Sequence, residues 1–227
     1  MARTLDPASH AIRRDAFVDV ALRLIQTKGY EQMSVQDLLD ELDASRGAFY
    51  HYFDSKASLL GAVVDAMVET VLESVAPVVA DPDLNATEKL EGVFGGIARW
   101  KSARRDLLLA LMAVWLSDDN AIVREKLRRG LTARLTPILA VIVCQGRDEG
   151  LFTTTAPDET ARVLVSFIAG LNEAATELYL ARQADEITFE AAERTLSTYL
   201  EAFERILGAR PGSVTLLDPR ILHEWFG

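Results

Sequence analysis

The chain has 227 residues, of which 49% are hydrophobic, and its formal net charge at pH 7 is -10. This size supports a sizeable core in one large or two modest domains, and the acidic balance argues against a nucleic-acid partner for the chain as a whole. The only cysteine is Cys144, which excludes an internal disulfide. Since neither a secretory leader nor an apolar run of about 18 residues is present, we expect a soluble cytoplasmic protein that does not cross a membrane.

The first predicted element is a helix whose apolar residues recur at a spacing of three and four. These residues are Ile12, Phe17, Val20, Ala21, Leu24 and Ile25. Gly29 ends this pattern, and Ser34 then caps a short second helix in which Asp37 holds the capping-box position. Asp43 lies in a tight turn that leads to Ser45, which caps a third helix of about two turns.

The rest of the chain is also predicted to be helical, because no stretch alternates between apolar and polar residues as a strand does. A fourth helix runs from near Lys56 to about Val79, before a break at Pro82. Thr155 with Asp158 predicts the start of a later helix. The remaining predicted helices are Asn85 to Lys101, Arg104 to Leu116, Asn120 to Glu149, Asp158 to Arg182, Thr188 to Leu207 and a short one at Ile221 to Phe226.

The two short helices, joined by a tight turn and supported by the first helix, form a predicted helix-turn-helix, whose second short helix can lie in a DNA major groove. Phe49 and Phe53 are four residues apart and can anchor that helix to the core, while Arg46, Gly47 and His51 fall largely on its other faces. Residues 1–60 contain seven Lys or Arg and nine Asp or Glu, so a phosphate-binding face needs a local arrangement of a few cations. Spacing alone also fits an ordinary core with a solvated surface.

From about Arg14 to Leu60, the chain resembles the TetR family of bacterial transcriptional regulators. The matching segments are Gly29-Tyr30, Ser34-Val35, Asp37-Leu38, Ser45-Arg46-Gly47-Ala48-Phe49-Tyr50-His51-Tyr52-Phe53 and Ser55-Lys56. Three positions depart from the usual pattern: Met33 and Ala48 stand where hydroxyl residues are frequent, and Asp43 stands where the turn often has glycine. Asp43 must adopt a left-handed conformation if the turn needs one, which aspartate tolerates.

The resemblance implies an all-α fold with a helix-turn-helix DNA-binding domain over residues 1–56 and a helical effector-binding and dimerisation domain over residues 57–227. It implies a recognition helix at Ser45 to Tyr50. The implied DNA-binding residues are Ser34, Ser45, Arg46, Gly47, Ala48, Tyr50, His51 and Lys56. Arg3, Arg13 and Arg14 either reach the DNA backbone or belong to a solvated terminus.

The resemblance further implies a homodimer on double-stranded operator DNA, with Asp158 to Arg182 and Thr188 to Leu207 forming the interface. Symmetry then predicts a palindromic operator. A small, largely apolar effector is expected, although residues of these types, taken singly, more often belong to ordinary core. The predicted effector-binding residues are Phe94, Trp100, Leu108, Met112, Trp115, Phe167 and Asn172.

The resemblance thus implies a ligand-responsive repressor. Two other classes of protein are the alternatives. An enzyme is disfavoured, because His10, His51 and His223 are scattered along the sequence and no glycine-rich phosphate loop follows a strand, so neither a metal nor a cofactor is expected. A helical protein-binding adaptor that has lost specific DNA binding would suit the net acidity and the three departures.

Overall fold

The computed structural model describes residues 7–227, apart from the side chains of residues 7–9, 113 and 115, and every regular element in that range is a helix. The helices are α1 (Pro7–Lys28), α2 (Val35–Leu42), α3 (Arg46–Tyr52), α4 (Lys56–Ala80), α5 (Ala86–Ser102), α6 (Arg105–Leu116), α7 (Ala121–Asp148), α8 (Pro157–Gln183), α9 (Phe189–Leu207) and α10 (Pro219–Phe226). A short 3₁₀ turn, Asp118–Asn120, precedes α7. The predicted all-α class is confirmed.

Most predicted helix ends lie within one or two residues of the observed ends, because side-chain caps mark them. Ser34, Ser45 and Thr188 each accept a hydrogen bond from a backbone N–H in the first turn of their helix. The helix predicted from Asp158 begins one residue earlier, but the predicted cap at Thr155 is wrong. Helix α8 begins with Pro157 after Ala156, and no side chain caps it. Proline suits the first helical position because its missing N–H would have no helical acceptor there.

The described chain divides into two compact units. Unit 1 takes the described residues up to Thr70 together with Arg104–Leu127, and unit 2 takes Val71–Ala103 with Arg128–Gly227. Helices α4 and α7 each contribute residues to both units.

The core of unit 1 lies where α1, α2, α3, α6 and the first turns of α4 meet. Its most deeply buried side chains include Ile25, Leu38, Phe49, Leu59 and Leu60. Helix α1 contacts both α2 and α6. The helix-turn-helix therefore rests on an apolar base formed by helices from distant parts of the sequence.

The core of unit 2 is a larger apolar cluster built mainly from α5, α7, α8 and α9, and α8 and α9 pack extensively against each other. Leu90, Ile142, Leu164 and Phe203 are almost completely buried within it. Helix α7 passes close to the Phe152 ring at Gly146, where any larger residue would collide with that ring.

The carboxy-terminal tail is part of unit 2 and closes onto its core. The buried carboxylate of Glu204 accepts hydrogen bonds from the backbone N–H groups of Gly212 at 2.8 Å and Val214 at 2.9 Å. The indole N–H of Trp225 donates to the hydroxyl of Ser102 at 3.0 Å, and this contact joins α10 to α5. These polar contacts satisfy groups that would otherwise be desolvated without partners.

Helix α8 is, among the described helices, the one long and apolar enough to cross a membrane by length and composition alone. Only 17% of the most apolar 18-residue stretch of α8 is buried. Within the helix, Val163 and Leu180 are 52% and 46% exposed. Helix α8 therefore presents apolar side chains that the rest of this chain does not cover.

Candidate nucleic-acid interface

Helix α2, the first helix of the helix-turn-helix, is capped at both ends. Before α2, Ser34 and Asp37 form a capping box in which each side chain accepts from the other residue's backbone N–H. Lys28 lies 2.7 Å from the Asp37 carboxylate, and this hydrogen bond together with those from Ser34 holds the Asp37 pKa well below its usual range. After α2, Asp43 adopts φ 45° and ψ 48°, so the predicted left-handed conformation is confirmed.

Helix α3 is anchored by its aromatic residues. Phe49 and Phe53 are 0% and 3% exposed, and both rings pack edge-on against Phe17 of α1, with ring centroids 5.8 and 6.2 Å away. These two buried rings attach the short helix to the apolar core. The prediction that Phe49 and Phe53 anchor α3 is confirmed.

With the two phenylalanines buried, the opposite face of α3 is open to solvent. Ser45, Arg46, Gly47, Tyr50 and His51 are exposed, and Ala48 is half-buried. Among the described residues, Arg46 forms no ion pair, and its guanidinium lies 6.0 Å from the Tyr50 ring. A Cβ added at Gly47 would meet only the Ser45 hydroxyl, at 3.9 Å. The helix therefore offers a cation beside open space, which a base edge or phosphate can approach.

Lys56, in the first turn of α4, is held by the turn that follows α1. Its ammonium lies 4.1 Å from the centroid of the Tyr30 ring and donates a 3.4 Å hydrogen bond to the Glu31 carbonyl. Partial burial lowers the pKa of Lys56, while the Glu31 charge opposes that effect. Burial also raises the pKa of Tyr30 to about 12, with the Glu31 charge adding to the shift. The aromatic face thus fixes the position of this cation.

One residue at this surface was not found from the sequence. The His10 ring of α1 lies 5.3 Å from His51 and 4.7 Å from Tyr52, centroid to centroid. Forty residues separate the two histidines in the sequence, and only the packing of α1 against α3 brings them together. No periodic signal pointed to His10.

Comparison with known proteins agrees with this geometry. Residues 17–63 match the model of the bacterial regulatory proteins of the tetR family. The HTH-type transcriptional repressor DhaR of Mycobacterium sp. strain GP1 is 23% identical over 154 residues, which cover 67% of this chain and 77% of DhaR. Residues 17–63 therefore match a TetR-type domain, and the longer match is to a transcriptional repressor.

Solved TetR-type structures share the fold over most of the chain. A TetR transcription regulator from Haloarcula marismortui has a TM-score of 0.59 at 23% identity, covering 85% of this chain and 98% of that protein. The SmeT–triclosan complex has a TM-score of 0.54 at 17% identity, covering 92% of this chain and 98% of SmeT. The family whose model matches and the curated relative DhaR are transcriptional regulators rather than enzymes.

The predicted DNA-binding residues have different local roles in unit 1. Ser34 and Ser45 cap α2 and α3, while Arg46, Gly47, Tyr50 and His51 lie on the exposed face of α3. Arg14 lies over the Phe53 ring at 5.4 Å, whereas Arg3 lies outside the described residues.

The predicted effector-binding residues belong to both units. Phe94, Phe167 and Asn172 lie in unit 2 with Trp100, whereas Leu108, Met112 and Trp115 lie in unit 1, and the side chain of Trp115 is outside the described residues. Phe94 and Phe167 both pack on Phe203, with centroid distances of 5.5 and 6.5 Å. Asn172 is exposed, and its amide oxygen accepts a 2.9 Å hydrogen bond from Lys101.

Proposed function

We propose that this TetR-family regulator is a ligand-responsive repressor that acts in the cytoplasm as a homodimer. Two copies of the exposed face of α3 would contact a palindromic operator, and a small, largely apolar effector would release it. Residues 1–56 would serve as the DNA-binding domain, and residues 57–227 would provide effector binding and dimerisation. The observation that carries this proposal is the exposed Arg46 guanidinium, held on a helix whose opposite face is buried.

The arrangement of α3 supports sequence-specific contacts. The cap at Ser45 and the buried Phe49 fix the helix before DNA arrives, so little ordering is left to occur on binding. Arg46 can then donate to a guanine edge or a phosphate, and Lys56 supplies a second, more restrained cation. The chain carries net charge -10, so these few cations give the interface its local positive character.

Exposed apolar surface on α8 supports dimerisation through this helix, and α9 joins it in the proposed interface because it packs against α8. Val163 and Leu180 of α8 are largely exposed in the single chain, and burying them against a second copy would remove that surface from water. Members of this family form dimers on operator DNA. A twofold dimer would present its recognition helices to half-sites about 34 Å apart, one turn of B-DNA.

Effector binding is supported by the side chains that unit 2 brings together. Phe94 and Phe167 flank the Phe203 ring and form an apolar, aromatic environment next to the core cluster. The Lys101–Asn172 pair provides polar groups in the same unit. SmeT, which shares this fold, is seen in complex with triclosan, a precedent for a small apolar ligand.

The proposed mechanism is a shift between two populations of the dimer that differ in the spacing of their recognition helices. An effector that prefers the spacing unable to fit the operator weakens DNA binding. A hundredfold weakening requires a preference of about 2.7 kcal/mol, which the burial of a modest apolar ligand can supply.

The decisive experiment measures operator affinity for a matched pair of arginine variants. Fluorescence anisotropy with DNA from the promoter beside the protein's own gene would compare wild type, Arg46→Ala and Arg210→Ala. Both variants remove one exposed cation, but Arg210 lies in the carboxy-terminal tail of unit 2. We expect Arg46→Ala to weaken specific binding about tenfold or more and Arg210→Ala to leave it nearly unchanged.

Two outcomes would contradict the proposal. Equal losses in both variants would mean that only total charge matters, and absence of any site-specific binding by the wild type would support a protein-binding adaptor instead.

Footprinting tests the operator itself, because a homodimer should protect two related half-sites symmetrically. Light scattering of Leu180→Glu tests the interface, since a buried charge there should convert the dimer to monomer.

A further inference from the structure

Three aromatic rings form a closed cluster where the start of α1 meets the end of α3. The ring centroids of His10, His51 and Tyr52 lie 5.3, 4.7 and 5.0 Å apart in pairs, so each ring contacts the other two. His51 is exposed, whereas His10 and Tyr52 are half-buried. The outermost ring of the cluster is therefore the one that lies on the open face of α3.

Tyr52 joins this cluster to the core of unit 1. Its ring lies 5.9 Å from that of Phe17, which is 3% exposed. His10 and Phe17 are seven residues apart on α1, or about two helical turns, so both face α3 from the same side of their helix. His51 is thus linked to a buried ring through Tyr52 and is held from α1 by His10.

The two imidazoles are held by ring contacts alone. Neither His10 nor His51 forms a hydrogen bond or an ion pair with another residue that the structure describes. A neutral imidazole carries one N–H donor and one acceptor nitrogen, to which phosphate oxygens and base edges can bind. The neighbours of the exposed His51 ring therefore fix its orientation without using its polar atoms.

The geometry of the contact between the two histidines restricts His51. The planes of the two rings meet at 71°, so the edge of one ring points at the face of the other. An exposed side chain at the end of a short helix would otherwise choose among several rotamers, and ordering it on binding costs up to about tenfold in affinity. His10 reduces this loss, because it orders His51 before DNA arrives.

We propose that His10 is a positioning residue for DNA recognition, which holds the His51 imidazole in the orientation that contacts the operator. His10 acts through His51 and makes no DNA contact of its own. Since the contacts are between rings, the role requires a ring at position 10 and not its nitrogen atoms. This inference rests on the proposed DNA binding by α3, and it adds α1 to the helices that order the recognition surface.

Operator affinity of four variants tests this role. Fluorescence anisotropy with DNA from the promoter beside the protein's own gene would compare wild type with His10→Ala, His10→Phe, His51→Ala and the double variant. We expect His10→Ala to weaken binding about three- to tenfold. His10→Phe keeps a ring at this site and should stay within about twofold of wild type. The double variant should bind like His51→Ala alone, since it lacks the group through which His10 acts.

The third histidine of the chain provides a matched control. The His223 ring lies 5.5 Å from that of Phe189 in unit 2, so His223→Ala removes a comparable ring contact far along the chain from α3 and should not change operator affinity. With three histidines in the chain, alanine variants assign the three imidazole signals in NMR spectra without DNA. His10→Ala should shift the His51 signal and leave the His223 signal in place, which a general loss of stability would not do.

The inference is overturned if His10→Ala binds the operator like wild type or leaves the His51 signal unchanged. It is also overturned if the losses in His10→Ala and His51→Ala add in the double variant, because His10 would then contact DNA independently. Arg46→Ala separates this inference from the proposed function. If Arg46→Ala weakens operator binding and His10→Ala does not, only the role of His10 fails, whereas absence of specific binding by the wild type removes both.

Discussion

The DNA-reading part of unit 1 and the core of unit 2 are both helical, but they are held together over very different distances in the sequence. From Ser34 to Phe53, the caps and the tight turn are made by residues three to five positions apart. In unit 2, comparable polar contacts join residues far apart, such as Glu91 with Thr215 and Ser102 with Trp225, separated by 124 and 123 positions.

This difference explains why the helix-turn-helix can be recognised from the sequence, whereas the packing of unit 2 cannot. A cap, a turn and an aromatic anchor require particular residue types at fixed spacing, so they leave a motif. Long-range packing requires only that volumes and polar partners match in space, which many sequences satisfy. The two regions should therefore respond differently to substitution.

The largest expected effect comes from replacing a buried phenylalanine in the core of either unit. Phe49→Ala and Phe203→Ala each empty a site that is at most 1% exposed, so each should lower the free energy of unfolding by about 3–5 kcal/mol in urea denaturation. Only Phe49→Ala removes the anchor of α3. At a temperature where both variants are folded, we therefore expect it to lose more operator affinity, and equal losses would show that the two regions are not independent.

The next effect tests the long-range contacts of unit 2. Glu204→Gln replaces a buried carboxylate that accepts from two backbone N–H groups, so one of them would face an amide donor. We expect a loss of about 1–3 kcal/mol in the free energy of unfolding. The control is Glu201→Gln, one turn earlier, where an exposed pair with Arg205 predicts a loss below about 1 kcal/mol. Equal losses for Glu204→Gln and Glu201→Gln would show that the hydrogen bonds from Glu204 to the carboxy-terminal tail do not stabilise unit 2.

A pH series tests the packing of Tyr30 in unit 1. The pKa of Tyr30 is raised to about 12 in the folded chain, whereas in the unfolded chain it is about 10. Its contribution to the free energy of unfolding is therefore complete below pH 10 and is lost between pH 10 and 12. Tyr30→Phe cannot ionise. At pH 11 we expect the wild type to have lost about 1 kcal/mol relative to this variant, measured against their difference at pH 9. A difference that does not change with pH would show that Tyr30 is not desolvated.

The smallest effect concerns the turn at Asp43. Aspartate is tolerated at φ 45°, and glycine would remove the remaining strain while giving the unfolded chain more freedom. We therefore expect Asp43→Gly to change the free energy of unfolding by less than about 1 kcal/mol, whereas Asp43→Val should lower it by about 1–2 kcal/mol. If valine is as stable as aspartate, the left-handed turn is not required.

Much of unit 1 could be predicted because its signals are local. The serine caps, the left-handed Asp43 and the anchors Phe49 and Phe53 all follow from short spacing rules, and the structure confirms them. His10 escaped prediction because its neighbour His51 comes from a different helix. Thr155 does not cap α8 because the helix begins at Pro157, so Ala156 rather than Thr155 holds the capping position.

By itself, the sequence determined that the chain is helical, where most helices begin and end, and which face of α3 carries its cations, since these depend on interactions within one or two turns. Only the tertiary structure decided that Tyr30 restrains Lys56, that Glu204 closes the tail and that His10 contacts His51. These pairings arise when separate helices pack together, and the energy of a contact between distant residues leaves no periodic trace along the chain.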